Sequence, residues 1–176
     1  TALQSLRDHG GIGVGQKVLI NGASGGVGHF AVQIAKIFGA EVTAVTSGRN
    51  AEFVKSLGAD RVIDYLKEDF TKGSALYDLV FDAVSMRSFG ECKKSLTGRG
   101  IYVNTLPNAT ILLQFITTFL PARKARSMWV KPSTADIAWM MDQIKGGKVR
   151  VVIDQVYPLD RVKDALAASE AGRTRG

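Results

Sequence analysis

The chain has 176 residues, 45% of them hydrophobic and 22% charged, with a formal net charge of +7. That suits one packed domain of ordinary soluble composition, and four prolines beside nineteen glycines point to tight turns rather than a disordered chain. The single cysteine, Cys92, excludes an intrachain disulfide and gives no sign of an oxidising compartment, so a cytoplasmic protein is expected.

The chain opens Thr1-Ala2-Leu3-Gln4-Ser5-Leu6-Arg7, without the basic start and long apolar run of a secretory leader. Lys17–Asn21 reads as a first strand. Gly26–Phe38 reads as a helix, with Val27, Ala31, Ile34, Ala35 and Phe38 on one face, and His29, Gln33 and Lys36 on an exposed opposite face. Gly39 ends it. Glu41–Thr46 is β-branched and reads as a second strand, Arg49–Leu57 as a helix closed by Gly58, and Arg61–Asp64 as a short third strand. Tyr77–Asp82 is a fourth strand, Met86–Leu96 a helix with Phe89, Cys92 and Leu96 facing the core, and Gly100–Asn104 a fifth strand.

Ile111–Leu120 is the most apolar stretch, shorter than the roughly 20 residues that cross a bilayer, and no membrane partner is expected. Leu112, Leu113, Phe115, Ile116, Phe119 and Leu120 read as an apolar helix. Its face suits a core position, or contact with substrate, a further domain or a second subunit. Ser127–Val130 reads as a sixth strand. A capping box at Ser133–Asp136 opens a helix over Ile137–Ile144, Val149–Tyr157 is extended, and Leu159–Ala171 is a last helix. Strands alternating with helices predict an α/β fold: a Rossmann-type doubly wound parallel sheet of about six strands, with helices on both faces.

The chemistry concentrates at Gly22-Ala23-Ser24-Gly25-Gly26-Val27-Gly28, a glycine turn between a strand and an amphipathic helix. A helix N-terminus carries bare N–H groups and partial positive charge, which stabilise a pyrophosphate if no side chain blocks it. Gly25 and Gly26 leave the approach open, and Gly28 allows close packing of helix on strand. The usual G-x-G-x-x-G pattern has alanine in its first place, Ala23, and Gly22 is a candidate for the tight turn. An acid at the end of the second strand would bind the ribose 2′-hydroxyl of NAD. Thr46-Ser47-Gly48-Arg49-Asn50 offers none, whereas Ser47 can donate a hydrogen bond and Arg49 can pair with a phosphate. NADP(H) is the expected cofactor.

Positive charge is otherwise dispersed, apart from Arg123, Lys124 and Arg126. No nucleic-acid motif accompanies it, and a modest excess also suits a polyanionic cofactor, so no nucleic acid partner is expected. His9, His29 and Cys92 lie far apart on different predicted elements, so no metal site is expected. No nucleophile–base pair stands out, and no catalytic residue is assigned.

Several segments together resemble the quinone oxidoreductase branch of the medium-chain dehydrogenase/reductases. They are the glycine turn, Ala31-Val32-Gln33-Ile34-Ala35-Lys36, Ser56-Leu57-Gly58-Ala59-Asp60 with Val62-Ile63-Asp64-Tyr65, Tyr77–Asp82, and Val152-Ile153-Asp154 through Tyr157-Pro158-Leu159. The resemblance implies NADPH-dependent hydride transfer to a quinone, enone or related carbonyl compound. It implies that Tyr65 lies near the adenosine 2′-phosphate beside Ser47 and Arg49, with Asn50 where relatives often carry lysine. It implies that Asp82 and Val84 after the fourth strand, and Asn104 and Leu106 after the fifth, approach the ribose and nicotinamide.

The same resemblance implies a cofactor domain over residues 1–147. Residues 148–176 would then lead back to a mostly β catalytic domain absent from this chain. It also implies a homodimer through the edge strand Ser127–Val130. A non-catalytic NADPH-binding regulatory or structural module is the alternative.

Overall fold

Val18, Leu19 and Ile20 are fully buried in β1 (Lys17–Asn21), and their alternation explains the layers. Successive strand residues face opposite sides of a sheet, so a strand apolar at every position must be covered on both. Val18 and Ile20 pack with Ala31, Ile34 and Ala35 of α2 (Gly26–Ile37). Leu19 packs on the other side with Val80, Phe89, Cys92 and Tyr102. Burying each such aliphatic side chain contributes on the order of 1.5–3 kcal/mol.

The computed structural model describes residues 1–106, 123–172 and 174–176. A short helix α1 (Ala2–Gln4) and a π-helical turn, Ser5–His9, precede β1. After α2 come β2 (Glu41–Thr46), α3 (Ala51–Ser56), β3 (Arg61–Asp64), β4 (Tyr77–Asp82), α4 (Phe89–Cys92), β5 (Leu96–Asn104), β6 (Lys124–Ser127), α5 (Thr134–Lys145) and α6 (Val162–Glu170). The six strands lie in the order β3-β2-β1-β4-β5-β6, and every pairing is parallel. The chain reverses direction across the sheet between β1 and β4. The crevice at their carboxyl ends is where open sheets of this kind place a ligand.

Several expected elements differ. The fifth strand begins at Leu96 rather than Gly100, and the helix before it contracts to α4 and a 3₁₀ turn, Lys93–Ser95. A capping box fixes that late start: Ser88 Oγ accepts from Glu91 N, while Ser88 N donates to Glu91 Oε2 at 2.7 Å. The sixth strand is Lys124–Ser127, upstream of the expected Ser127–Val130. The apolar run Met128-Trp129-Val130 resembles a strand more than its charged neighbours do, yet Arg123 and Arg126 spend their guanidinium groups on the carbonyls of Leu96 and His9, which frees that segment to pair. Residues 149–157 join no ladder among the described residues. The expected apolar helix over Ile111–Leu120 lies outside the described residues.

His29 and Gln33 are buried rather than exposed, at 2% and 6%. The segment around Arg150 crosses that face of α2: Gln33 Nε2 donates to the Arg150 carbonyl at 3.0 Å, and Arg150 N donates back to Gln33 Oε1 at 2.7 Å.

Candidate cofactor site

Between β1 and α2 the backbone turns sharply. Gly22 has φ +77°, a left-handed conformation, and its N–H and that of Ala23 both donate to the Val45 carbonyl at 3.1 Å. Gly22 therefore makes the turn that the first glycine of the usual pattern makes, and Ala23 sits fully buried behind it. Gly28 is a packing residue, since a Cβ there would lie 2.1 Å from the Gly22 carbonyl oxygen.

Gly25 and Gly26 are bare for a different reason. A Cβ on either would find its nearest protein atom only at 3.6 Å, an ordinary contact. Gly25 is the N-cap of α2 and makes no side-chain capping bond. The fold therefore tolerates a side chain at both positions, and what it would obstruct is the open end of the helix. That is the fit expected of a site for a pyrophosphate.

A cleft of about 1050 Å³ opens over this turn. Ser24, Gly25, Ser47, Arg49, Asn50, Tyr65 and Val84 line it, while Gly26 and Val27 face a separate groove between α1, α2 and α5. Ser24 Oγ is a hub that accepts from Thr46 Oγ1 at 2.9 Å and from Asn50 Nδ2 at 3.1 Å. The glycine turn and the exit of β2 are thereby locked together. Tyr65 stands exposed in the cleft lining, its N–H donating to the Thr46 carbonyl at 3.1 Å.

The floor is a buried polar cluster. Asn21 Nδ2 donates to Asp82 Oδ1 at 2.9 Å, and Asp82 Oδ2 accepts from Arg87 N at 2.9 Å and from Tyr102 Oη at 3.4 Å. Burial, and then the Asp82 charge, push the Tyr102 phenol well above its usual range, so it stays a donor. Asp82 has no exposed surface and meets the cleft through the loop it shapes. That loop brings Val84 against Gly22, where a Cβ would lie 2.5 Å from Val84 Cγ1. Asn104 is also fully buried. Its Nδ2 donates to the Leu106 carbonyl at 2.8 Å, and its Oδ1, at the carboxyl end of β5, has no partner among the described residues. Leu106 is exposed at the mouth.

Three contributors were not singled out from the sequence. Asp64 is the carboxylate judged missing from the end of β2. Parallel pairing sets Thr46 opposite Asp64, and a Cβ on Gly48 would lie 2.6 Å from Asp64 Oδ2. The second is Ser85, in a left-handed conformation at φ 52°; its Oγ accepts from Thr105 N at 3.2 Å and Leu106 N at 3.0 Å, tying the β4 and β5 exit loops together. Arg175, the third, reaches Asn50 from the far end of the chain. Sequence spacing held no signal for it.

A parallel sheet of this order, with a bare glycine turn at its switch point, defines a dinucleotide-binding domain of the Rossmann type. The chain belongs to the zinc-binding dehydrogenase family, whose model matches residues 57–176, one of the medium-chain dehydrogenase/reductases, which use a nicotinamide cofactor; quinone oxidoreductase homologues are among its curated relatives. It is 36% identical over 190 residues to the chloroplast envelope quinone oxidoreductase homolog of Arabidopsis thaliana, covering 100% of this chain and 57% of that protein. It is 32% identical over 206 residues to a mitochondrial NAD(P)H oxidoreductase of Mus musculus, covering 100% of this chain and 51% of that one. The structure of the quinone oxidoreductase from Coxiella burnetii superposes with a TM-score of 0.89 at 29% identity, over 100% of this chain and 55% of that one. The chain thus spans about half the length of the relatives it matches.

These relatives correct the expectation of a cytoplasmic protein, because the names of two of them place those proteins in the chloroplast envelope and the mitochondrion. A lone thiol speaks only against an oxidising compartment and does not separate one reducing compartment from another.

Zinc is named in the family's description, but the residues here do not fit it. Among the described residues, no three of His, Cys, Asp or Glu come together. Cys92 is buried in the core, where burial and then the Asp82 charge push its thiol up to about 12.

Proposed function

We propose that this chain is the cofactor-binding part of an NADPH-dependent oxidoreductase that transfers hydride to a quinone, enone or related carbonyl substrate. The exit of β2 carries the reading. Ser47, Arg49 and Tyr65 all line the cleft there, beside a glycine turn whose bare positions the fold itself does not require. A hydroxyl, a guanidinium and a phenol suit a phosphomonoester on the adenosine ribose.

On this reading the open end of α2, at Gly25 and Gly26, takes the pyrophosphate. Val84 and Leu106 bracket the nicotinamide end, on loops held by Asp82, Asn104 and Ser85. The bound nicotinamide supplies the hydride, and the chain's own residues hold and orient it. Residues 1–147 form the cofactor domain, and residues 148–176 lead toward a catalytic domain; the exposed Val151, Ile153 and Val156 support that course. The edge strand β6 pairs with β5 on one side and with no described strand on the other, which favours a second copy of the chain there.

Asp64 favours a second reading. A carboxylate against Gly48 can accept from a ribose 2′-hydroxyl, the preference of an NAD site. Titration with NADPH and NADH, followed by nicotinamide fluorescence, separates the two. NADPH is expected to bind about tenfold tighter, the worth of one charged hydrogen bond. Equal affinities, or tighter NADH, would overturn the NADPH reading. The hydride step is tested on the full-length protein by loss of NADPH absorbance when 1,4-naphthoquinone is added.

A further inference from the structure

Arg175 lies 125 residues from Asn50 in sequence, and its Nε donates to Asn50 Oδ1 at 2.8 Å. Its Nη2 lies 3.5 Å from the Arg49 carbonyl. Asn50 is a rigid mount: it is 4% exposed, and its Nδ2 is committed to Ser24 Oγ at 3.1 Å. The main chain next to Arg175 is held as well. Gly176 N donates to the Ser24 carbonyl at 3.0 Å, Thr174 lines the cleft, and a Cβ on Gly176 would lie 2.3 Å from the Val152 carbonyl oxygen.

A guanidinium fixed in this way is a planar set of donors, matched to phosphate oxygens and always charged. Its position decides which phosphate it meets. Its guanidinium contacts are to the β2 exit, at Arg49 and Asn50, rather than to Gly25 or Gly26 at the open end of α2. Asp64 stands at the same exit, against Gly48, so a cation there also offsets a carboxylate that repels a phosphate.

We propose that Arg175 is a specificity-determining residue, which binds the 2′-phosphate of NADP(H) jointly with Arg49 and is aimed by Asn50. The inference rests on the NADPH reading above and adds to it a cation from the opposite end of the chain.

The test is a titration of the chain and of Arg175→Gln with NADPH, NADH and adenosine 2′,5′-bisphosphate. Expected is a loss of about tenfold or more for NADPH and the bisphosphate, the worth of one charged hydrogen bond, with NADH unchanged. If the unaltered chain prefers NADPH and Arg175→Gln retains that preference, or weakens NADPH and NADH equally, the role of Arg175 is overturned while the NADPH reading stands. If the unaltered chain binds both cofactors equally, both readings fall. Should Arg175→Gln lower the melting temperature, Arg175→Lys carries the same test. It keeps the charge but loses the planar fork, and is expected to cost NADPH about threefold and NADH nothing; an equal loss of both would overturn the proposal.

Discussion

Gly28 packs so tightly beneath Gly22 that a Cβ on Gly28 would lie 2.1 Å from the Gly22 carbonyl oxygen, while a Cβ on Gly25 would clear the same oxygen by 3.6 Å. Two glycines of one motif thus meet different demands, and substitution separates them. Gly28→Ala must push backbone against backbone and is expected to destabilise the chain by roughly 1–3 kcal/mol. Gly25 has φ −84°, which alanine adopts without strain, so Gly25→Ala should fold normally and lose cofactor affinity about tenfold. Urea unfolding and NADPH titration on both variants check the contrast. An unfolded Gly25→Ala would show that the bare position belongs to the fold.

Charge at the exit of β2 is mixed, and its two signs predict opposite effects. Arg49→Ala is expected to weaken NADPH about tenfold and leave NADH within twofold. Asp64→Asn removes a negative charge facing Gly48 and should strengthen NADPH relative to NADH by roughly threefold. Its Oδ1 also accepts from Leu66 N at 3.1 Å, a bond asparagine keeps, so the turn should survive. Isothermal titration with both cofactors reads the ratio. A loss of NADPH binding in Asp64→Asn would show that the carboxylate organises the site rather than opposing the phosphate.

The buried His29 makes a pH dependence. Desolvation holds its imidazole below the usual 6.5, partly offset by hydrogen bonds to the backbone at Gly25 and Gly26. Above 6.5 it is neutral in both folded and unfolded chains and contributes no slope. Below 6.5 the unfolded chain takes up a proton that the folded chain resists, so stability falls as pH drops toward the folded value and levels off beneath it. Thermal melts from pH 8 to 5 should show this decline. An NMR titration should place His29 below His in a reference peptide; a midpoint at or above 6.5 would contradict the burial argument.

What could be read from the sequence follows from the range of the interactions. The order of strands and helices rests on period-two and helical patterns within a few residues, so β1, α2, β2 and β4 stand where those patterns place them. Gly22 was legible as the turn residue because it lies within the motif itself, and Ser47 and Arg49 because they follow directly on β2, whereas Tyr65 came only through the family resemblance. Asp64 was not, because its place beside Gly48 depends on the β2–β3 register. The burial of Gln33 was not, because Arg150, 117 positions further along, pairs with it across that face of α2. The same distance hides Arg175, whose composition and spacing mark it as one more exposed cation near a glycine.

Asp82 holds the floor of the cleft without reaching it. Asn21 Nδ2, Arg87 N and Tyr102 Oη converge on its two oxygens, with Val84 N a further donor at 3.3 Å. Asp82→Ala strips the acceptor from Asn21 Nδ2, Val84 N and Arg87 N, while Tyr102 Oη keeps its bond to the Arg87 carbonyl, at a cost of about 2–4 kcal/mol. Asp82→Asn keeps one oxygen for Asn21 but turns an amide donor toward Arg87 N, so it should cost less than alanine and still loosen residues 83–87. Because Val84 is seated against Gly22 by that loop, both variants should weaken NADPH and NADH by the same factor, unlike Arg49→Ala. Urea midpoints and paired cofactor titrations test this. A selective loss of NADPH in Asp82→Asn would mean that the loop reaches the proposed 2′-phosphate site, contrary to this prediction.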